Sequence, residues 1–179
     1  MATISDASAQ NTNNNLPERK QTTLGLYATA KESYDMWKAN PDKVHIVDVR
    51  TVIEYIWVGH TEMAITIPAF VQTSKWDDER KYFALAPEPH FVTEMEKRFK
   101  KNDIIILFCR SGDRSAMAVN MLAKAGFTQV YNLTDGFEGD LVTDPDNVFV
   151  GKRMKNGWKN SGLPWTYQVD PKQVVIPEM

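Results

Sequence analysis

Cys109 is the single cysteine of this 179-residue chain. It follows the apolar run Ile104-Ile105-Ile106-Leu107-Phe108 and opens the turn Arg110-Ser111-Gly112-Asp113-Arg114-Ser115. A cysteine just after a central strand and just before a helix sits where backbone N–H groups converge and the helix dipole favours negative charge. Both effects stabilise a thiolate, and Arg110 and Arg114 add positive charge. A lowered pKa is therefore expected to make Cys109 a nucleophile near neutral pH. The same arrangement suits a bound anion: Gly112 lets the backbone turn its amides inward, and Ser111 and Ser115 supply further donors. Asp113 opposes this only if it points inward; at a helix start it is expected to cap or to face solvent. The competing reading is a buried, inert thiol, the usual fate of a lone cysteine beside an apolar run, although Arg, Gly and Arg are poor company for a core residue.

These residues need a scaffold, and the chain supplies one. Residues 104–108 form the most hydrophobic strand expected and should be central. Residues 115–125 are almost wholly small or apolar, as in a helix packed closely on a sheet, and Gly126 is placed to end it. Upstream, residues 44–49 read as a strand buried on both faces and ending in the charged pair Asp48 and Arg50. The carboxyl end of such a strand is where open α/β sheets place their binding crevice, although an ordinary strand-to-loop transition fits equally well. Thr29 and Glu32 have the spacing of a capping box, so a helix is expected over 30–39, stopped at Asn40-Pro41. Residues 54–57 suggest a short helix, Gly59-His60 a turn, and 65–67 a strand ended by Pro68. Residues 74–82 are read as a solvated surface segment. Pro87-Glu88-Pro89 opens a helix whose Phe91, Met95 and Phe99 form a stripe that faces the sheet. With a further strand at 130–133, the order of elements predicts an α/β fold with a mainly parallel central sheet, the cysteine turn lying between its central strand and the next helix.

Composition sets the outer limits. The length predicts one domain with a proper core. A net charge of -2 argues against a general nucleic-acid binder, and no apolar run is long enough to span a bilayer. A soluble protein is expected, cytoplasmic, or periplasmic if a signal peptide has been removed. Residues 1–23 are read as a disordered tail, with 1–21 rich in Ser, Thr, Asn and Gln, and 24–168 as the domain with 169–179 as a second tail. Between 139 and 157 the pattern weakens into a long loop, with a helical start near Arg153; Trp158, Leu163, Pro164 and Trp165 then supply apolar anchors.

Cys109-Arg110-Ser111-Gly112-Asp113-Arg114-Ser115 resembles the C-R-x-G-x-R-[ST] active loop of rhodanese domains, sulfurtransferases that carry sulfur as a cysteine persulfide. Asp48-Val49-Arg50 with Glu54-Tyr55 is similar to the family's D-V-R-x-x-x-E-[YF], and residues 59–68 resemble its G-H-I-x-G-A-x-x-[IVL]-P. Downstream, Tyr131-Asn132-Leu133 with Asp135-Gly136, and Gly157-Trp158 with Gly162-Leu163-Pro164, resemble its closing motifs. The resemblance is colinear from about Leu24 to Trp165. Thr61 and Met63 replace the usual Ile and Gly, and residues 140–156 are inserted before the closing motif.

The resemblance implies a rhodanese-like three-layer α/β/α fold and sulfur transfer through Cys109. The loop from Arg110 through Ser111, Gly112, Asp113 and Arg114 to Ser115 would bind substrate, with Asp48 and Arg50 in support. It implies a small anionic sulfur donor such as thiosulfate, cyanide or a thiol or protein as acceptor, and no metal or organic cofactor. A related fold serves cysteine phosphatases with a C-x5-R loop, but four residues between Cys109 and Arg114 make this loop shorter, which favours a sulfur atom over a phosphate. A non-catalytic binding module is the remaining alternative. The sequence does not fix the oligomeric state.

Overall fold

Period-two alternation in the strand before Cys109 divides the molecule into its layers. Ile105 and Leu107, with Cys109 beyond them, join one buried apolar cluster, whereas Ile106 and Phe108 join another. Successive strand residues point to opposite faces, so the strand is covered on both sides. The computed structural model describes residues 16–79 and 81–177. In chain order its elements are β1 (Tyr27–Ala28), α1 (Ala30–Ala39), β2 (Val44–Asp48), α2 (Val52–Val58), β3 (Ala64–Thr66), β4 (Phe70–Asp77), β5 (Tyr82–Pro87), α3 (Phe91–Arg98), β6 (Ile104–Phe108), α4 (Asp113–Lys124) and β7 (Val130–Leu133).

Five strands pair in parallel in the order β1-β7-β6-β2-β3, which places β6 in the middle. On one face, Phe91 and Met95 of α3 and Ala118, Val119 and Leu122 of α4 pack against Val47, Ile105 and Leu107. On the other, Ala30 of α1, Phe137 and Trp158 pack against Val44, Ile46, Ile106 and Phe108. The result is the expected α/β architecture with a mainly parallel central sheet. The Thr29–Glu32 capping box opens α1 as predicted, and a second, Thr51–Glu54, opens α2. Each satisfies backbone donors left free at a helix start, a contribution of about 1 kcal/mol. Among the described residues no helix is long and apolar enough to cross a membrane.

Three regions differ from the sequence reading. Residues 74–82, read as a surface segment, belong to the antiparallel hairpin β4–β5. Its middle residues Gln72, Ser74 and Lys75 are exposed, so the strand lacks the alternation that marks a half-buried one. Pairing comes instead from the backbone ladder and from Trp76 packed edge-on against Phe83 at 5.2 Å.

Of the tail expected over 1–23, residues 1–15 lie outside the described residues, and residues 16–23 are held in place. Glu18–Lys20 forms a 3-10 turn, and Lys20 is buried. Its carbonyl accepts from Asn132 Nδ2 at 2.9 Å, and its ammonium bonds both oxygens of Asp140 at 2.7 and 2.9 Å. Thr23 N donates to Asn120 Oδ1 in α4.

The second tail also docks. Val174 bridges Thr66 in parallel at the open edge of β3, and the Asp170 carbonyl accepts from the Tyr55 hydroxyl. The loop over 139–157 is irregular, as expected, and is closed by a bridge between Val142 and Val150. No helix starts at Arg153; the turn of 3-10 helix comes later, at Lys159–Ser161, after the buried Trp158.

Candidate active site

The cysteine loop, residues 109–115, is shaped by two glycines in close quarters. Gly112 has φ +99°, a conformation that disfavours any side chain, and a Cβ there would overlap the Thr134 carbonyl. Gly136 has φ +65°, and its own Cβ would lie 2.5 Å from the Arg110 carbonyl carbon and the Ser111 nitrogen. Backbone bonds then fix the loop from below: Phe137 N donates to the Cys109 carbonyl at 2.8 Å, and Glu138 N to the Arg110 carbonyl at 3.0 Å. The loop is thus clamped between the end of β6 and the turn after β7.

Cys109 is 1% exposed and packs with the α4-side core, which an inert thiol would also do. Its polar company is what the inert reading does not anticipate. Gly112 N donates to Sγ at 3.2 Å. Ser115 Oγ lies 3.5 Å from Sγ, but its single proton goes to Asn132 Oδ1 at 2.6 Å. The Asn132 amide group in turn donates to the carbonyls of Gly112 and Lys20. Ser115 therefore braces the loop through Asn132. Among the described residues no acceptor takes the N–H groups of Ser111, Asp113, Arg114 or Ser115. The last three open α4, where such donors have no intrahelical partner, and they remain as unused hydrogen-bonding capacity at the helix start whose cap residue, Gly112, donates to Sγ.

The charged residues divide sharply. Arg114 makes a two-pronged ion pair with Glu54, at 2.8 and 2.6 Å, so the capping residue of α2 also neutralises the loop arginine. Burial alone would raise the Glu54 pKa, but the Arg114 hydrogen bonds and charge, with help from Arg50 and the Thr51 N–H, hold it down at about 2. Burial likewise works against charge on Arg114, and Glu54 more than reverses this, raising its pKa. Arg110, one residue past the cysteine, is exposed and makes no described ion pair. Asp113 faces outward: its Oδ2 accepts from Arg19 at 3.0 Å, while the buried Oδ1 has no described partner. It makes no side-chain cap of the kind the sequence allowed; Gly112 holds the cap position of α4.

Asp48 and Arg50 form a fully buried pair, at 2.7 Å for the closest contact. By strand alternation Asp48 shares the face of Ile46, opposite to that of Cys109. Arg50 also donates to the Gly59 carbonyl at 2.8 Å and stacks 4.2 Å over Phe137. The pair ties β2, the turn after α2 and the turn after β7 together beneath the loop. Glu54, Asn132, Lys20 and Asp140 were not singled out as site residues. Asn132 carried a signal, being a polar residue in a strand otherwise fit for burial. Burial would raise the Asp140 pKa, and the bonds from Lys20 and Asn156 lower it instead.

Fold and site together define a parallel α/β domain built around a cysteine loop at the carboxyl end of its central strand. The chain belongs to the rhodanese-like domain family, whose model matches residues 29–141. It is 31% identical over 146 residues to an uncharacterised protein of Rickettsia prowazekii, RP600, covering 76% of this chain and 93% of that one. It is 33% identical over 118 residues to thiosulfate sulfurtransferase 16 of Arabidopsis thaliana, a chloroplastic protein, covering 66% of this chain and 76% of that one. Among solved structures, that of Rv0390 from M. tuberculosis superposes with a TM-score of 0.59 at 28% identity, covering 79% of this chain and 99% of the other.

Proposed function

We propose that the chain is a sulfurtransferase in which Cys109 takes the outer sulfur of an anionic donor, holds it as a persulfide and passes it to a thiol or to cyanide. The observation that carries this reading is Sγ at the start of α4, where Gly112 N donates to it at 3.2 Å and the N–H groups of Asp113, Arg114 and Ser115 have no acceptor among the described residues. A persulfide places negative charge on a second sulfur just beyond Sγ, and donors without acceptors are what such a charge requires. The named Arabidopsis relative supports the same chemistry. The loop length supports it as well: four residues between Cys109 and Arg114 leave room for one sulfur atom rather than a phosphate group.

In the first half-reaction the Cys109 thiolate attacks the outer sulfur of thiosulfate. The thiolate's lone pair forms the new sulfur–sulfur bond, the bond between the two thiosulfate sulfurs breaks with its electron pair leaving on sulfite, and the terminal sulfur of the persulfide keeps its negative charge. In the second, a thiolate or cyanide attacks that terminal sulfur and Cys109 is returned as thiolate. The residues of the loop orient and bind; Gly112 N–H holds the nucleophile. With thiosulfate and cyanide, the protein is expected to form thiocyanate catalytically, and Cys109→Ser is expected to form none. Thiocyanate formation that survives the substitution would overturn the proposal.

A further inference from the structure

Lys20 is the only buried lysine among the described residues, 3% exposed. Removing an ammonium group from water is costly unless charge and hydrogen bonds replace its hydration. Here they do. Its Nζ bonds both oxygens of Asp140 at 2.7 and 2.9 Å. Asp140, at the base of the insertion, is fixed in turn by Asn156, which accepts from its N–H at 2.7 Å and donates to its carboxylate at 3.2 Å. The stem of the lysine packs on the cysteine loop: a Cβ placed on Gly112 would lie 3.2 Å from Lys20 Cδ.

The main chain of Lys20 reaches the same loop by a second route. Its carbonyl accepts from Asn132 Nδ2 at 2.9 Å, and that amide nitrogen also donates to the Gly112 carbonyl at 3.1 Å. Both amide protons of Asn132 are thereby used, and its Oδ1 takes the proton of the Ser115 hydroxyl. Asn132 is fully buried, so without the Lys20 carbonyl one of those protons would be left unpaired away from water. Arg19 and Thr23 flank Lys20 and hold Asp113 and Asn120, which lays the segment along α4. The sulfur is one bond further on, since Gly112 donates its own N–H to Sγ.

We propose that Lys20 is a positioning residue for Cys109: its ion pair with Asp140 sets the place of residue 20, whose stem and carbonyl fix Gly112 and Asn132 and so keep the Gly112 N–H on Sγ. The inference rests on the sulfurtransferase reading for the reaction that this serves. The segment before β1 and the insertion after β7 then act on the cysteine as one unit, joined through a single buried pair.

The test uses the full chain, with thiosulfate and cyanide as substrates and amide hydrogen exchange read by mass spectrometry. Lys20→Met keeps most of the stem and removes the ammonium. It is expected to lower kcat about 10-fold while KM for thiosulfate stays within about 2-fold of wild type, the pattern of a geometry needed at the reacting atom. Exchange over residues 110–116 is expected to rise about 10-fold while 104–108 keep their protection, because only local opening becomes easier. Lys20→Arg, which keeps the pair, is expected to recover part of both losses. Should Lys20→Met not fold, Asp140→Asn breaks the same pair with its shape retained and is expected to give the same pattern. Unchanged kcat would overturn the proposal, and so would protection lost equally from the loop and from 104–108, since Lys20 would then serve global stability alone. The two readings fail separately. A loop that loosens locally in the variant, beside a wild-type protein that forms no thiocyanate, would keep Lys20 as the brace of the loop and sink the sulfurtransferase reading.

Discussion

Arg114 and Arg110 belong to one loop and have opposite surroundings. Arg114 is turned inward, half-buried and closed by Glu54; Arg110 is turned outward, exposed and without an ion pair among the described residues. The same contrast separates the whole inner wall of the site from its rim. Inside, Asp48, Glu54, Arg114, Asn132 and Ser115, with Nε and Nη2 of Arg50, bond one another and the backbone, while the buried Arg50 Nη1 has no described partner. At the rim, Arg110 is exposed and has no described ion-pair partner. An ion pair that is already complete fixes geometry, and an incomplete one is left to bind. A positive residue beside a loop cysteine is therefore not by itself an anion ligand; its carboxylate partner decides which it is.

The largest effect should come from breaking the innermost pair. Arg50→Ala leaves Asp48 charged and buried with no ionic partner, and a loss of about 3–5 kcal/mol is expected in urea unfolding. A loss under about 1 kcal/mol would mean that the inner wall contributes little to the fold.

Next comes the Glu54–Arg114 pair. Holding Glu54 at about 2 instead of its ordinary 4.5 corresponds to about 3 kcal/mol of stability at neutral pH. Because the folded pKa is the lower one, this contribution is complete above about pH 4.5 and is lost as the pH falls through about 2. The stabilities of the wild type and Glu54→Gln should therefore differ at pH 7 and converge in acid. A difference that is flat with pH would contradict the ion pair as its source.

The rim should respond in the other sense. Arg110→Gln is expected to change unfolding free energy by less than about 0.5 kcal/mol, as exposed substitutions do, and to raise KM for thiosulfate about 10-fold. Equal damage to stability and to turnover would erase the distinction between wall and rim.

The strands that build the wall were legible because burial on both faces leaves continuous apolar runs, as in residues 44–49 and 104–108. The loop was legible because its glycine, its arginines and its cysteine are adjacent in the chain. Which arginine is neutralised was not, since Glu54 lies 60 residues from Arg114 and meets it only once α2 and α4 are in place. Lys20 escaped for the same reason: its partners Asn132 and Asp140 are 112 and 120 residues away, and its local composition is that of a tail. Strand β4 carries no periodic signal because Gln72-Thr73-Ser74-Lys75 places polar residues on both of its faces. The insertion gave a basic cluster, and what sets Arg153 apart from Lys152 and Lys155 among the described residues is its bond to the Gly139 carbonyl.

Whether Cys109 holds sulfur is read directly by intact-mass spectrometry. After exposure to thiosulfate and removal of excess reagent, the wild-type protein should gain about 32 Da, one sulfur atom, and lose it again on addition of cyanide, while Cys109→Ser gains nothing. No gain in the wild type, or the same gain in Cys109→Ser, would contradict a persulfide on Cys109 and leave the loop as the scaffold of a binding module.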